Sequence, residues 1–111
     1  MRHLLFACLV ILAGVISGCG PARPLTESEF KGFCYQLTDG ESGSGCSDII
    51  TICDAYRIVM NTQHDSREAC VRACQDIAGP QRRRFLFTNC QVGVEHALGW
   101  CLRYCASAYP G

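Results

Sequence analysis

The chain has 111 residues, with ten acidic and ten basic side chains (counting Asp, Glu, Lys and Arg), so its formal net charge is zero. Because the charges balance, the net charge gives no reason to expect binding to nucleic acid or to an acidic polymer. The length suits one small domain rather than two. Its ten cysteines are enough to crosslink such a domain in an oxidising compartment.

The first 18 residues have the pattern of a secretory signal. Arg2 and His3 precede an uncharged apolar run from Leu4 to Ile16. That run has the length of a signal-peptide core and is shorter than the roughly 20 residues of a membrane-spanning helix. We therefore expect residues 1–18 to be a cleaved signal peptide, and a retained membrane helix is the weaker alternative.

The junction Ile16-Ser17-Gly18-Cys19 resembles the lipobox of bacterial lipoproteins, in which an apolar residue and two small residues precede a cysteine. The resemblance implies that Cys19 carries lipid, palmitate included, and becomes the first residue of the mature chain. Because Gly20 follows rather than aspartate, the family's sorting rule implies delivery to the outer membrane, facing the periplasm. Under the alternative, an ordinary secretory signal, Cys19 is one more disulfide cysteine.

The number of cysteines favours lipidation. Cys8 lies in the leader, and if Cys19 is lipidated eight thiols remain, which can all pair. If Cys19 is not lipidated, nine remain and one has no partner.

Residues 19–29 are expected to be the lipidated N-terminus and a tether, because Pro21 and Pro24 oppose regular structure. Residues 30–111 form the expected disulfide-rich helical domain. Its first segment, Phe30 to Leu37, is a short strand or a loop, since neither periodicity prevails. Residues 38–45 are a loop by their glycine and serine content.

Three helices are predicted, which makes the fold class all-α. The first runs from Ser47 or Asp48 to about Met60 on an apolar stripe, although Ile49 to Ile52 is β-branched enough to begin a strand. The second helix begins at a capping box with Asp65 as N-cap and Glu68 as its partner. It is expected to stop at Gly79-Pro80.

The third helix begins at Thr88-Asn89-Cys90-Gln91, which is again like a capping box, and continues to the C-terminus. Gly93 and Gly99 each cost a helix about 1 kcal/mol relative to alanine. Their presence predicts that another backbone approaches closely there.

The two motifs Cys70-x3-Cys74 and Cys101-x3-Cys105 each place two thiols on one face of a helix. In an antiparallel hairpin, facing residues share one index sum, and Cys70 with Cys105 and Cys74 with Cys101 satisfy the same register. The pattern resembles the α-hairpinin peptides of plants and, more distantly, the small chaperones of the mitochondrial intermembrane space. That resemblance covers residues 70–105 and implies the hairpin geometry without any activity.

The four remaining cysteines share two further bridges and allow three pairings. We prefer Cys34–Cys46, which closes the glycine-rich loop, and Cys53–Cys90, which joins the first helix to the start of the third.

No catalytic residue, metal ligand or cofactor is expected. A four-thiolate zinc site or a redox pair is the alternative use of the cysteines, but export disfavours reduced thiols and C-x-x-C is absent. The candidate partner-binding residues are Arg82, Arg83, Arg84, Phe85 and Phe87, which could contact anionic lipid, a protein partner or a protease. In the alternative interpretation the arginines are solvated and both phenylalanines pack on the core.

The sequence therefore predicts a lipid-anchored, non-enzymatic envelope protein that binds or scaffolds an unidentified envelope protein, as a secretion or conjugation accessory lipoprotein does. It attaches to the membrane through its lipid and binds no nucleic acid. One alternative is a secreted disulfide-rich inhibitor or antimicrobial hairpin. Another is an envelope redox or metal-binding protein.

Overall fold

In the computed structural model, residues 23–36 and 45–111 are described, and every regular element in these two ranges is helical. The predicted all-α domain with an antiparallel helical hairpin is confirmed. Cys19, the leader and residues 37–44 lie outside the described residues. The elements in chain order are α1 (Glu27–Tyr35), α2 (Ile49–Asp54), α3 (Arg57–Met60), α4 (Arg67–Arg84) and α5 (Gln91–Ala108).

Helices α4 and α5 form the hairpin and make the most extensive contact in the fold. Its predicted register is confirmed. Cys70 is bonded to Cys105 with a Cα–Cα distance of 5.6 Å, and Cys74 is bonded to Cys101 with 5.9 Å. All four cysteines are fully buried, so the bridges lie in the core and replace part of the apolar packing that a larger domain would have.

Helix α4 starts later and ends later than predicted. Its N-cap is Ser66, whose Oγ accepts a hydrogen bond from the Ala69 amide at 3.1 Å, so the proposed Asp65–Glu68 capping box is wrong. The helix also continues through Pro80 to Arg84. Proline inside a helix removes one backbone hydrogen bond and is costly. Tertiary contacts beyond the proline offset that cost, since the Gln81 side-chain amide donates to the Ile52 carbonyl at 3.0 Å.

The predicted first helix is present but broken at Ala55 and Tyr56 into α2 and α3. The strand alternative for this segment is wrong. At the break the Tyr56 amide bonds to the Cys53 carbonyl, three residues back, at 3.1 Å. This tighter turn does not disturb the apolar stripe, whose buried members are Ile49, Ile52, Cys53, Tyr56 and Val59.

Helix α1 differs from the prediction, which is a tether followed by a short strand or a loop. Thr26 is its N-cap: Thr26 Oγ1 accepts from the Glu29 amide at 3.1 Å and donates to the Glu29 carboxylate at 3.0 Å. Phe30 and Cys34, one turn apart, are fully buried. The ordered domain thus includes residues before position 30, and the Leu25 amide donates to Ser107 Oγ at 3.0 Å.

The preferred pairing of the other four cysteines is wrong. Cys34 is bonded to Cys53, and Cys46 is bonded to Cys90. The reason is that α1 packs against α2, which places Cys34 beside Cys53 near the ends of the two helices. The glycine-rich segment is therefore not closed on itself by a bridge.

The core is built from apolar residues and cysteines, with no buried charged or polar residue among the described ones. Phe30 packs against Tyr56 with ring centroids 6.1 Å apart. Gly93 is buried, whereas Gly99 is exposed and a side chain there would meet no atom within 4 Å. The expected close approach of another backbone is therefore wrong for Gly99.

Candidate binding surface at the hairpin tip

We call residues 82–92 the hairpin tip, which comprises the end of α4, the connecting residues 85–90 and the start of α5. Helix α4 ends at Arg84, and the Phe85 amide still donates to the Gln81 carbonyl at 2.9 Å. The chain then reverses in a turn closed by the Thr88 amide, which donates to the Phe85 carbonyl at 3.1 Å. Thr88 Oγ1 also donates to that carbonyl at 2.7 Å and accepts from the Cys90 amide at 3.2 Å. Thr88 thus organises the turn rather than capping α5, whose N-cap is Cys90.

This turn places the two phenylalanines of the predicted surface differently. Phe85 is 7% exposed and belongs to the core, whereas Phe87 is 92% exposed. The interpretation in which both rings pack on the core is therefore correct only for Phe85. Residues two positions apart at the end of a helix point in different directions. This spacing is the sequence signal that distinguishes Phe85 from Phe87.

Phe87 also has an unusual backbone. It is the one non-glycine residue with positive φ in residues 23–36 and 45–111, at 63°. The left-handed region costs an ordinary residue roughly 1–2 kcal/mol, and glycine usually occupies it. Since the exposed ring makes no compensating core contact, the turn holds an apolar side chain in solvent at an energetic cost.

Two further apolar side chains that were not predicted are exposed at the tip. Leu86 is 49% exposed and Val92 is 61% exposed. With Phe87 they make three exposed apolar side chains at this end of the hairpin. Isolated exposed apolar residues need no explanation. Three of them in the seven residues 86–92, which include a strained backbone position, indicate a contact surface.

The three arginines of the tip have different environments. Arg82 makes a bidentate ion pair with Glu95 on α5, with Nε–Oε1 and Nη2–Oε2 distances of 2.6 and 2.8 Å. Hydrogen bonding to Arg82 lowers the pKa of Glu95. Arg84 lies over the Phe85 ring, 5.2 Å from its centroid. No carboxylate in the described ranges is within ion-pair distance of Arg83 or Arg84.

The tip is fixed to the rest of the domain by a covalent bond and a hydrogen bond. The Cys46–Cys90 bridge joins the residues before α2 to the N-cap of α5, with Cα atoms 4.7 Å apart. Beside it the Asn89 side-chain amide donates to the Gly45 carbonyl at 2.8 Å. The exposed apolar residues therefore project from a crosslinked support.

A second cluster at the surface consists of side chains that contact one another. On α5, Trp100 is stacked on Phe33 of α1 with ring centroids 4.4 Å apart and an angle of 7°. The guanidinium of Arg103 covers Trp100 at 4.4 Å from its centroid. His96 Nε2 donates to the Phe33 carbonyl oxygen at 3.1 Å. Since Phe33 is on α1 and Trp100 is on α5, this cluster joins the two helices.

A shallow groove of about 310 Å³ lies between α2 and α4. Its walls are mainly apolar, and the Gln81 Oε1 beside it is buried without a hydrogen-bond partner in the described structure. The volume is at the lower limit for a small-molecule site. The lining residues are Thr51, Ile52, Ala55, Asp76, Ile77, Pro80, Gln81, Arg84 and Phe85.

The sulfurs of Cys70, Cys74 and Cys105 lie within 4.8 Å of one another, which is close enough for three metal ligands. All three are engaged in disulfide bonds. The thiolate is the form that binds zinc, so metal binding here would require both bridges to be reduced.

No family model, no curated protein and no solved structure matches this chain. Within residues 23–36 and 45–111, no helix has the length and apolar character needed to cross a membrane.

Proposed function

We propose that this protein is a lipid-anchored, non-enzymatic module of the bacterial envelope that contacts its target through the hairpin tip. The observation that carries the proposal is the position of Phe87, which a strained turn holds almost fully exposed beside Leu86 and three arginines. A fold that tolerates this cost without burying the ring retains it for contact with something outside the domain.

The bridges support export. Eight cysteines form four disulfides, all in the core or at its edge. Such a framework forms and persists in an oxidising compartment, the bacterial periplasm included. The pairing of these eight also supports the anchoring half of the proposal, because it leaves Cys19 available for lipid.

The shifted pKa values among these described residues arise from structural contacts. Glu27 and Glu95 have lowered pKa values because of surface contacts, chiefly hydrogen bonds from Lys31 and from Arg82 respectively. Tyr35, whose pKa is raised to about 12 by its hydrogen bond to Asp54, joins α1 to α2. The Arg82–Glu95 and Tyr35–Asp54 contacts each join two helices, whereas the Lys31–Glu27 contact lies within α1.

Anchoring is tested by labelling cells with palmitate and comparing the native chain with Cys19→Ser. We expect label and membrane retention in the native chain and loss of both in the variant. Cys8→Ser is the matched control, because it removes a cysteine of the leader and should leave labelling unchanged. Equal retention of the two chains at an unmodified mass would contradict the lipid anchor and favour a retained membrane helix.

Contact through the tip is tested separately in intact envelopes with a photo-crosslinking residue at position 87. A crosslinker at position 58 is the control, since Ile58 is 64% exposed on α3, whose Met60 carbonyl accepts from Tyr104 in the C-terminal part of α5. Adducts from position 87 in excess of those from position 58 are expected. Equal yields at both positions would contradict the assignment of the tip as the contact surface.

A further inference from the structure

We infer that the hairpin tip inserts into the interface of a bilayer containing anionic phospholipid, with Phe87 and Leu86 at the level of the acyl-chain boundary and Arg83 and Arg84 at the phosphates. The inference rests on the proposed function, because it names what the tip contacts in a protein already attached to a membrane.

The apolar part of the tip is suited to a bilayer surface. Phe87 and Leu86 are exposed in the connection between the helices, and Val92 is exposed in the first turn of α5. Side chains of this kind partition into the boundary between headgroups and acyl chains, and they need no complementary cavity there.

The charge around these residues is complementary to an anionic surface. Between Asp76 and Glu95 the chain contains three arginines and no acidic residue. Glu95 neutralises Arg82, but Arg83 and Arg84 have no carboxylate partner in the described ranges. Two acids lie in this region: Asp76 lines the same groove as Arg84, and Asp48 is two residues from Cys46 of the bridge. Neither forms an ion pair with Arg83 or Arg84, so these two charges are not neutralised by a direct contact in the described ranges.

The small size of the tip favours lipid over a protein partner. A stable protein interface buries about 800 Å² on each side and usually includes an anchor residue seated in a pocket. A few side chains on one turn provide less than this. A bilayer surface, in contrast, adds roughly fivefold in affinity for each arginine near anionic lipid. A lipid anchor combined with a basic patch is also the usual two-signal arrangement for durable attachment.

Because the tip is fixed to the domain, its insertion costs little conformational entropy. The Cys46–Cys90 bridge and the Asn89–Gly45 hydrogen bond already fix the turn in the domain. The rigid turn therefore loses little freedom when its side chains enter the interface. The strained φ of Phe87 is in place before contact.

The experiment uses the full lipidated chain with a tryptophan moved to the tip. The sequence has a single tryptophan, so Trp100→Phe combined with Phe87→Trp reports on position 87 alone. The protein is reconstituted into vesicles of phosphatidylcholine with or without phosphatidylglycerol. We expect a blue-shifted emission and quenching by brominated lipid only when phosphatidylglycerol is present. The control variant combines Trp100→Phe with Ile58→Trp and should remain accessible to aqueous quenchers in both membranes.

The contribution of charge is tested by adding Arg83→Gln to the position-87 reporter. Its matched control is Arg72→Gln, because Arg72 is exposed on the same side of α4 but about 16 Å further from the tip. We expect Arg83→Gln to lower the ratio of inserted to free tip about fivefold, and Arg72→Gln to leave it unchanged. Circular dichroism and a free-thiol assay establish that each variant is folded.

The results separate this inference from the proposed function. If the chain stays with the vesicles while position 87 remains open to aqueous quenchers in both lipid mixtures, lipid insertion is wrong and the anchor is retained. If position 87 becomes protected only in intact envelopes, the target is a protein and the inference is likewise overturned. A chain that lacks acyl groups would instead contradict the anchor.

Discussion

The sulfur of Cys74 lies 3.5 Å from the sulfur of Cys105, although the two residues belong to different disulfide bonds. The two bridges of the hairpin therefore pack against each other in the centre of the domain. Each one fills space beside the other as well as crosslinking the chain.

Removing the outer bridge as a pair, with Cys70→Ala and Cys105→Ala, should destabilise the domain without leaving an odd thiol. With the inner bridge intact the outer one closes only a short additional loop, worth about 2–3 kcal/mol. Lost packing against the inner bridge adds to this. Denaturant unfolding measures the change. A cost below about 1 kcal/mol, or a remapped pairing of the remaining six cysteines, would show that the bridges do not support the hairpin as described.

Replacing Phe87 should separate stability from binding. Phe87→Gly relieves the left-handed backbone, whereas Phe87→Ala removes the same ring and keeps a Cβ. We expect the glycine variant to be more stable than the alanine variant by about 0.5–1 kcal/mol, with both losing contact through the tip. Thermal unfolding of the two variants checks this order, and the reverse order would contradict the positive φ.

Gly99→Ala should stabilise α5. The position is exposed within the helix, and a new Cβ there meets no atom within 4 Å. The gain expected from helix propensity is up to about 1 kcal/mol. Gly32→Ala in α1 is the matched control, because it is equally open and should also stabilise. Destabilisation at position 99 with stabilisation at position 32 would mean that another surface covers α5 in solution.

Stability should fall in alkaline solution as Tyr35 ionises. Its hydroxyl donates to the Asp54 carboxylate, and this bond raises the pKa in the folded chain from the ordinary 10.0 to about 12. The contribution is therefore complete below pH 10 and is lost as the pH rises towards 12. Tyr35→Phe should cost about 1 kcal/mol at neutral pH, and the difference from the native chain should vanish near pH 12. A difference that does not change with pH would contradict the hydrogen bond.

The hairpin could be predicted from the sequence because its information is local. Cysteines four residues apart must share a helix face, and two such pairs fix one register. The pairing of Cys34 with Cys53 could not be predicted in that way, because it depends on where α1 packs. Helix α1 itself had a sequence signal, since Thr26 and Glu29 have the spacing of a capping box.

The hairpin tip was identified only in part, and the reason is Pro80. A helix that ends at Pro80 gives no helical periodicity for the residues after it, so it does not predict which of them are buried. Once α4 continues to Arg84, Phe85 falls on the buried stripe with Cys74 and Ala78, while Phe87 lies beyond the helix. Local propensity favoured a stop, and tertiary contacts beyond the proline overrode it.

The arrangement of the four bridges also determines how the protein responds to proteolysis. A cut after Arg84, in the exposed basic segment, leaves three disulfides crossing the break, from Cys90, Cys101 and Cys105 back to the N-terminal part. The two pieces would migrate together on a gel until a reductant is added. A protease can therefore cut this domain in its exposed basic segment without separating the two pieces.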